Sequence, residues 1–469
     1  MKKMLWILPV LVLFTQQGLF AGSIDYLTNQ SAKWLISPSR NAATEGADIA
    51  NYNPAGTAFL PKGLHLDLSN QTLFKLYENG DMQFSPTDTG RALNLLPSDY
   101  GTFEPEMLTP ALPNLYAVYN FGQIGSGSLA FYLQGGVTAG GGDLDWQDGT
   151  AGMTYALSGL RIGVLGASVQ AGTPTDFGKI ASQSFKASSI YYGVGLGGAY
   201  SFLEDSLSLS LGGRLVIPQR SFAFAASFEN LGGSLDAEYE YNALGFTPII
   251  GFDLRPTQGL TLAVRYEVET KLEFEYDEKK LNVSPSLAAA MQQYKVDPLT
   301  SSGIYDGATF NLNLPHIIAV GAECQVNDAL AVSLSVNLYL LSIADYGEKT
   351  SEYFGTGYEF GLGATYKLIE NLKLGMGLIY TESGVLDPYF NDSILNASAN
   401  PPLDSVAVGL GGTYAFKNGL DITLSGLYSH YLPRDFETII GNNEMEFARI
   451  TGTYKKDVIE VGIGIGFHY

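Results

Sequence analysis

The chain has 469 residues, a formal charge of −21 and one cysteine, Cys324, which argue against a nucleic-acid partner and exclude an internal disulfide. Hydrophobic residues make up 46% of the sequence and charged residues 16%, with 55 glycines and a mean hydropathy of +0.07. Since no long uninterrupted apolar run occurs after the first residues, these values exclude a helical membrane protein and are typical of a membrane β-barrel, where apolar and polar residues alternate.

The first 21 residues have the layout of a secretory signal peptide. Lys2 and Lys3 precede an apolar run from Leu5 to Phe14, and the small residue Ala21 follows. The run is too short for a spanning helix, which needs roughly 20 residues. We therefore predict a signal peptide over residues 1–21, cleaved after Ala21.

Residues 22–60 do not have a strand pattern. The stretch is rich in alanine, contains Pro38 and Pro54, and is typical of short helical turns joined by loops. It precedes the first predicted strand, and its placement therefore depends on the architecture of residues 61–469.

From residue 61 to the end, the sequence repeatedly alternates apolar and polar residues, which predicts long strands with two different faces. In Ser206 to Val216, for example, Leu207, Leu209 and Leu211 share one face. Cys324 lies on such an apolar face, which indicates a small hydrophobic role rather than a nucleophile. Fourteen strands are predicted near 63–76, 112–121, 128–140, 188–202, 206–217, 236–254, 259–276, 312–326, 329–344, 355–368, 371–382, 403–416, 419–431 and 454–469.

The connections between these strands alternate strictly between short and long. Six short turns, such as LEDS and KNG, separate loops as long as 77–111 and 141–187. This rhythm is typical of an antiparallel barrel with periplasmic turns and outer loops. The predicted fold is therefore all-β, a transmembrane antiparallel β-barrel of about 14 strands over residues 61–469, in the bacterial outer membrane.

The last strand ends in VIEVGIGIGFHY, with an apolar face that finishes on Tyr469. Its pattern resembles the C-terminal signal read by the barrel-insertion machinery, although that signal usually ends in Phe. We expect this machinery and outer-membrane lipid as partners, and a monomeric protein.

A lumen of about fourteen strands is too wide to be filled by its own side chains. Insertion of residues 22–60 into the lumen, as a hatch that plugs it, is the economical interpretation. Asn53-Pro54-Ala55, which comes after a run of small residues and precedes the first strand, resembles the hatch motif of the FadL family of outer-membrane transporters. That family carries long-chain fatty acids and aromatic hydrocarbons.

The resemblance implies passive uptake of hydrophobic small molecules: capture among the outer loops, passage to a site against the plug, and lateral exit through the wall into the bilayer. It gives gating roles to Asn53, Pro54 and Ala55. It also implies an inward kink in the third strand, where Gly135 and Gly136 lie. Gly140, Gly141 and Gly142 are equally explained by flexibility at a loop edge.

Arg214 and Arg265 are the candidate substrate-binding residues. Alternation places both on the polar, lumen-facing side of their strands, where a guanidinium could pair with a fatty-acid carboxylate. The alternative is pairing with a neighbouring acid, Glu267 or Glu269.

Other functions are less consistent with the sequence. No histidine lies in an arrangement that predicts catalysis, and DLDWQDG at 143–149 lacks calcium-loop spacing. We therefore predict no catalytic residue, metal or cofactor. A general porin, or a surface-binding outer-membrane protein, remains the alternative function.

Overall fold

The computed structural model describes residues 29–105, 107–296, 304–347, 350–442 and 445–469. The predicted signal peptide and residues 22–28 of the predicted hatch lie outside this described part of the chain.

Most of the described chain is strand. The strands are β1 (Gly63–Pro86), β2 (Ser98–Phe103), β3 (Leu108–Thr109), β4 (Asn114–Ile124), β5 (Gly127–Trp146), β6 (Ile180–Phe202), β7 (Leu207–Phe228), β8 (Ser234–Asn242), β9 (Gly245–Thr257), β10 (Leu260–Glu267), β11 (Glu273–Val283), β12 (Thr309–Asn311), β13 (His316–Gln325), β14 (Leu330–Leu340), β15 (Gly357–Ile369), β16 (Leu372–Glu382), β17 (Ser405–Ala415), β18 (Leu420–Tyr431), β19 (Arg434–Asn442) and β20 (Met445–His468).

Fourteen of these strands, all except β2, β3, β8, β11, β12 and β19, form a closed antiparallel ring. The ring closes between β1 and β20, which pair from His65–His468 to Pro86–Ala448. In lipid an unpaired sheet edge has no water to satisfy its backbone groups, so closure satisfies each strand on both sides. The predicted barrel of about 14 strands is confirmed.

The six predicted short turns join ring strands at one end of the barrel, here called the short-turn end; the opposite end is the long-loop end. Predicted strands 236–254 and 259–276 each prove to be two strands. β8 pairs with residues 219–227 of β7, toward the long-loop end, whereas β9 pairs with residues 207–216, toward the short-turn end. The chain changes partner there because β7, with 22 residues, continues beyond the ring.

The outward side chains form an apolar surface. Leu196, Leu211 and Leu410 are each more than 60% exposed, on strands whose alternate residues are buried. Aromatic pairs stand at the short-turn end, with ring centroids 4.7 Å apart in Tyr119–Phe121 and 4.9 Å apart in Tyr414–Phe416. An apolar band bordered by aromatic residues is the surface that a barrel presents to a bilayer.

The helices lie before β1 and in the long connections. They are α1 (Ala32–Ile36), α2 (Ile49–Tyr52), α3 (Asp88–Ala92), α4 (Ala151–Gln170), α5 (Pro285–Tyr294), α6 (Thr350–Tyr353), α7 (Asp387–Asp392) and α8 (Ile394–Ala399), with 3-10 helices η1 (Pro54–Phe59) and η2 (Leu341–Ile343). None of the described helices is both long and apolar enough to cross a membrane.

Helix α4 organises the long-loop end. Thr150 caps its N-terminus by accepting from the Met153 N–H, and α4 packs on α8, where the Gly152 N–H donates to Ser398. Arg161, within α4, makes two hydrogen bonds to Asp176, which lies beyond the C-terminus of the helix, at 2.8 and 3.0 Å. Those hydrogen bonds, and one from the Gly178 N–H, lower the pKa of Asp176 although partial burial opposes the shift.

We predict that Leu410→Arg destabilises the protein in a bilayer by about 2–4 kcal/mol, because Leu410 is central in β17 and 62% exposed to the apolar surface. The measurement is denaturant-induced unfolding from phospholipid vesicles. Leu96→Arg, at a 65% exposed position of a long loop, is the matched control and should cost less than about 0.5 kcal/mol. Equal losses in the two variants would contradict a lipid-facing role for Leu410.

Candidate functional site

Residues 29–60, here called the N-terminal segment, contact opposite sides of the ring. Helix α1 packs on β16, β17, β18 and β20, whereas η1 packs on β4, β5, β6, β7 and β9. The side chains are largely buried; Leu35, Ile49 and Ala55 have no exposed surface. A segment in contact with both walls lies across the lumen.

Glycines on the inner wall make this close approach possible. A Cβ added to Gly409 would lie 2.2 Å from the carbonyl oxygen of Leu35, and one added to Gly361 would lie 2.1 Å from that of Pro38. These contacts are with backbone atoms, which cannot rotate away as a side chain can. Inward glycines of the strands therefore mark where the N-terminal segment lies, and their positions on the polar face are a signal that could have located it.

Asn53, Pro54 and Ala55 lie at the start of η1. The Asn53 amide donates to the carbonyl of Ala43 at 3.0 Å and to the Asp253 carboxylate of β9 at 2.8 Å. Pro54 begins η1, where its fixed φ suits a helical turn and its missing N–H costs nothing. The Ala55 carbonyl accepts from Ser208 of β7 at 2.7 Å. The motif thus joins the N-terminal segment to two neighbouring strands.

Arg214 and Arg265 meet at one acid, Glu267. Arg214 forms an ion pair with Glu267, and the Nε of Arg265 lies 3.2 Å from the same carboxylate. Arg265 also donates to the backbone carbonyl of Asn51, and Arg214 lies 3.5 Å from its side-chain oxygen. All three charged side chains are less than 10% exposed. The structure therefore shows the pairing with Glu267 that the sequence left open, and a direct substrate role remains a prediction.

Ion pairs also hold the N-terminal segment toward the short-turn end. Lys33 of α1 lies 2.6 Å from Asp67 and 3.4 Å from Asp421 on the wall. Glu45 pairs with Lys373 of β16. The Asp67 carboxylate is buried. The Glu45–Lys373 pair is about half exposed, and such a pair contributes little to stability.

Strand β5 departs from regular geometry immediately after the predicted glycines. Gly135 keeps its register with Val194, and Gly136 has φ +148°. Two register shifts then fall between Val137 and Gly142, so that β5 contains two more residues than β6 across this interval. The ladder from β5 to β4 ends at the Asn114–Gly136 pair. A bulge, residues 137–142, thus follows Gly135 and Gly136, and the exit kink assigned to those two glycines stays a prediction.

A cavity of about 150 Å³ lies between the N-terminal segment and this bulge. Asn29 and Trp34 line it on one side and Gly140 and Gly141 on another. The rest of the lining is mixed: apolar side chains such as Leu73, Leu403, Leu427 and Val458 alternate with polar ones such as Thr381, Asn400 and Ser429, and four charged side chains also line the cavity, those of Lys75, Lys456, Glu359 and Glu460.

An aromatic cluster at the long-loop end was not predicted. Six rings pack against one another in stacked, tilted and edge-to-face pairs with centroids 4.9–6.3 Å apart: Phe222, Tyr239, Tyr241, Phe274, Tyr276 and Phe310. The guanidinium of Arg220 lies 5.2 Å from the ring centroid of Tyr241. These residues come from β7, β8, β11 and β12, so only the pairing of those strands assembles them.

Among the described residues, no group of three or more His, Cys, Asp and Glu side chains could hold a metal ion. The single cysteine, Cys324, is exposed on the outer face of β13.

Comparisons with known proteins agree with this architecture. A family model described as "Outer membrane protein transport protein (OMPP1/FadL/TodX)" matches residues 177–467. A search of curated proteins finds no match.

Three solved structures of low sequence identity share the fold. A FadL homologue of Pseudomonas aeruginosa has a TM-score of 0.66 and 16% identity, over 95% of this chain and 99% of that one. The Pseudomonas putida toluene transporter TodX gives 0.54 and 13%, over 96% and 100%. The CymD monoaromatic hydrocarbon channel gives 0.50 and 12%, over 92% and 97%.

We predict that Glu267→Gln lowers the free energy of unfolding by about 3–5 kcal/mol, because it leaves two buried guanidinium groups without their shared carboxylate. Denaturant-induced unfolding measures the loss, and the N-terminal segment should become more sensitive to protease. Glu437→Gln breaks an exposed pair with Arg449 and should cost about 0–1 kcal/mol. A loss no greater than that of the control would show that Glu267 does not hold the arginines.

Proposed function

The chain belongs to the OMPP1/FadL/TodX family of outer membrane transport proteins, and on that basis we propose that it takes up hydrophobic molecules such as long-chain fatty acids. It is a transport protein of the outer membrane, not an enzyme. The observation that carries the proposal is the cavity of about 150 Å³, because the N-terminal segment forms one side of it and the β5 bulge forms another.

The first step is capture at the long-loop end. The aromatic cluster around Phe222 and Tyr241 gives this end of the molecule a large apolar interior, and because both side chains are at most 2% exposed, capture requires the rings to move apart. Aromatic side chains contribute large apolar areas to binding and can rearrange around ligands of different shape. Burial of an apolar chain among them removes it from water, which is favourable at roughly 25 cal/mol per Å².

The second step is arrest at the N-terminal segment, which we propose acts as a plug. Its support comes from contacts with both walls, from the bond between Asn53 and Asp253, and from the arginine pair at Asn51. We assign Arg214 and Arg265 to this attachment. Contact with a ligand carboxylate would first require Glu267 to leave them.

The third step is lateral exit through the wall at the β5 bulge. The β4–β5 ladder ends at Gly136, and the bulge beyond it lines the cavity through Gly140 and Gly141. Exit into the bilayer avoids returning the apolar chain to water, whereas passage down an aqueous lumen would gain nothing.

We predict that deletion of residues 22–60 opens an aqueous channel, because the lumen of a ring this wide is not filled by its own side chains. Single-channel conductance in planar bilayers should rise strongly from a low value. Gly409→Val is a milder variant, since its side chain would meet the Leu35 carbonyl and push α1 from the wall. Unchanged conductance in the folded deletion variant would refute the plug, and high conductance in the wild type would favour a general porin.

We predict that deletion of Gly140 and Gly141 abolishes uptake while the barrel still assembles, because it removes the two extra residues of β5 and lets the ladder continue. Uptake of labelled fatty acids and aromatics into cells is the measurement. Deletion of the exposed loop residues Leu96 and Pro97 is the control and should leave uptake intact.

Two results would contradict this scheme. Full uptake by the variant without Gly140 and Gly141 would refute exit at the bulge. Equal uptake by cells with and without the wild-type protein would refute the transport function itself.

A further inference from the structure

A second cavity, here called the arginine cavity, lies beside the larger one of about 150 Å³. Its own volume is about 40 Å³, and Trp34 and Tyr339 line both cavities. Because a water molecule needs about 10–15 Å³ of such space, the arginine cavity has room for about three waters, or for one small ion and a water. Its polar lining includes side chains from three parts of the protein: Gln30 and Asn51 of the N-terminal segment, Thr138 of the β5 bulge, and Arg214, Arg265 and Glu267 of the wall.

The charges around the arginine cavity do not balance. Among the described residues, the charged side chains that line it are those of Arg214, Arg265 and Glu267. Both guanidinium groups pair with the single carboxylate, and all three side chains are less than 10% exposed. One positive charge therefore remains unbalanced in a buried space, and burial of an unpaired charge is costly. The larger cavity has no such excess, because two lysines line it together with two glutamates, one of which, Glu359, accepts a hydrogen bond from Tyr339.

Two hydrogen-bond donors in the lining are unused. The Nε–H of Arg214 and the hydroxyl of Thr138 have no hydrogen-bond partner in the part of the chain that the structure describes, and each residue is 7% exposed. The two side chains lie close together over Gly193 of β6. A Cβ added to this glycine would lie 2.9 Å from the Cβ of Thr138 and 3.1 Å from the Cδ of Arg214, to which Nε is bonded. One donor of the bulge and one of the wall thus meet at the same place.

The N-terminal segment reaches the same cavity through Asn51. Its side-chain oxygen lies 3.5 Å from Arg214, and its backbone carbonyl accepts from Arg265. The wall, the bulge and the N-terminal segment therefore all contribute to the lining. A ligand held there would contact the three bodies at once.

The unbalanced charge favours an anion over water as this ligand. A water molecule would satisfy the two donors and leave the positive charge uncompensated. A small anion would do both, and hydrogen bonds to an ionised acceptor are roughly twice as strong as those to a neutral one. The excess of one charge suits a monovalent ion. A long-chain carboxylate would need space for its chain, which a cavity of about 40 Å³ does not offer.

We propose that the arginine cavity binds one small monovalent anion, such as chloride, at the Nε–H of Arg214 and the hydroxyl of Thr138. The ion completes the attachment of the N-terminal segment to the wall, because it neutralises the charge that Glu267 leaves on the two arginines beside Asn51. This inference goes beyond the proposed function, since it concerns neither the transported molecule nor its exit.

The test uses purified protein in a neutral detergent, without a transport substrate, and bromide as the probe. Crystals grown in sodium bromide should show an anomalous peak within hydrogen-bond distance of the Arg214 Nε and the Thr138 hydroxyl. In solution, bromide should quench the emission of Trp34 saturably, because this ring lines the cavity. Trp34→Phe gives the background from the other tryptophan side chains, and sodium gluconate keeps the ionic strength equal.

Three variants test the donors and the charge. Thr138→Val removes the hydroxyl and keeps the shape, and it should weaken bromide binding by about tenfold, the effect of losing one hydrogen bond to a charged group. Thr109→Val is the matched control, because the Thr109 hydroxyl is also buried without a partner among the described residues but lies outside the lining of this cavity. Its bromide binding should equal that of wild type. Arg214→Gln leaves Arg265 and Glu267 as a neutral pair and should abolish saturable binding.

Glu267→Gln should change binding in the opposite direction. It leaves two positive charges at the cavity, so the folded variant should bind bromide more tightly than wild type does. General destabilisation would instead weaken binding in this variant as well as in Arg214→Gln. Weaker binding in folded Glu267→Gln would therefore overturn the proposed charge selection.

The remaining outcomes decide whether the site exists and what it does. Water alone at the Arg214 Nε in bromide crystals, together with quenching that does not saturate, would overturn the anion site. Equal weakening of binding in Thr138→Val and Thr109→Val would do the same. Protease should cut the N-terminal segment of wild type more slowly in chloride than in gluconate, and equal rates would refute the role of the ion in attachment. Failure of the protein to transport hydrophobic compounds would refute the proposed function and leave this site standing.

Discussion

Every backbone N–H and C=O group in the bilayer must find its partner within the protein, and the other features of this structure result from that constraint. It requires the first and last ring strands to pair, which β1 and β20 do from His65–His468 to Pro86–Ala448. Closure by fourteen strands then leaves a lumen wider than the wall side chains can fill. The N-terminal segment occupies that space, and the inner wall meets it with glycine where backbone approaches backbone.

The charges inside the barrel serve the same arrangement. Burial of a charge is costly unless it is paired and hydrogen-bonded, and Glu267 meets this requirement for Arg214 and Arg265 together. Because Arg265 also donates to the Asn51 carbonyl, the position of the N-terminal segment and the pairing of the wall charges are interdependent. An attachment made of a few polar contacts to rigid strands is one that a ligand can alter without disturbing the ring.

The bulge in β5 is the complementary irregularity. Each ring strand must be hydrogen-bonded on both sides, but the pairing of β5 with β4 ends at Asn114–Gly136. The cavity that the N-terminal segment also lines lies next to this point. The Lys75 ammonium and the Gln30 amide, which donates to the Thr138 carbonyl at 3.2 Å, supply hydrogen bonds to backbone oxygens there. One donor belongs to the wall and the other to the N-terminal segment, so both bodies hold the bulge. Plug and exit are therefore physically connected in the proposed mechanism.

The barrel could be predicted from the amino-acid sequence alone. Alternation, strand length and the rhythm of turns are local properties, and each of the fourteen predicted strands overlaps a ring strand. The glycines of the third predicted strand indicated an irregularity in this part of the wall, because glycine within a strand marks a bulge or close approach, but the register shifts fall after Gly135 and Gly136, between Val137 and Gly142. The partners of the inward side chains, in contrast, emerge only in three dimensions. Arg214 and Arg265 are 51 residues apart and share Glu267 because β7, β9 and β10 are neighbours in the ring. Lys75 and Gly141 likewise meet only through strand pairing and a bulge, since alternation assigns a residue to a face but not to a neighbour across the lumen.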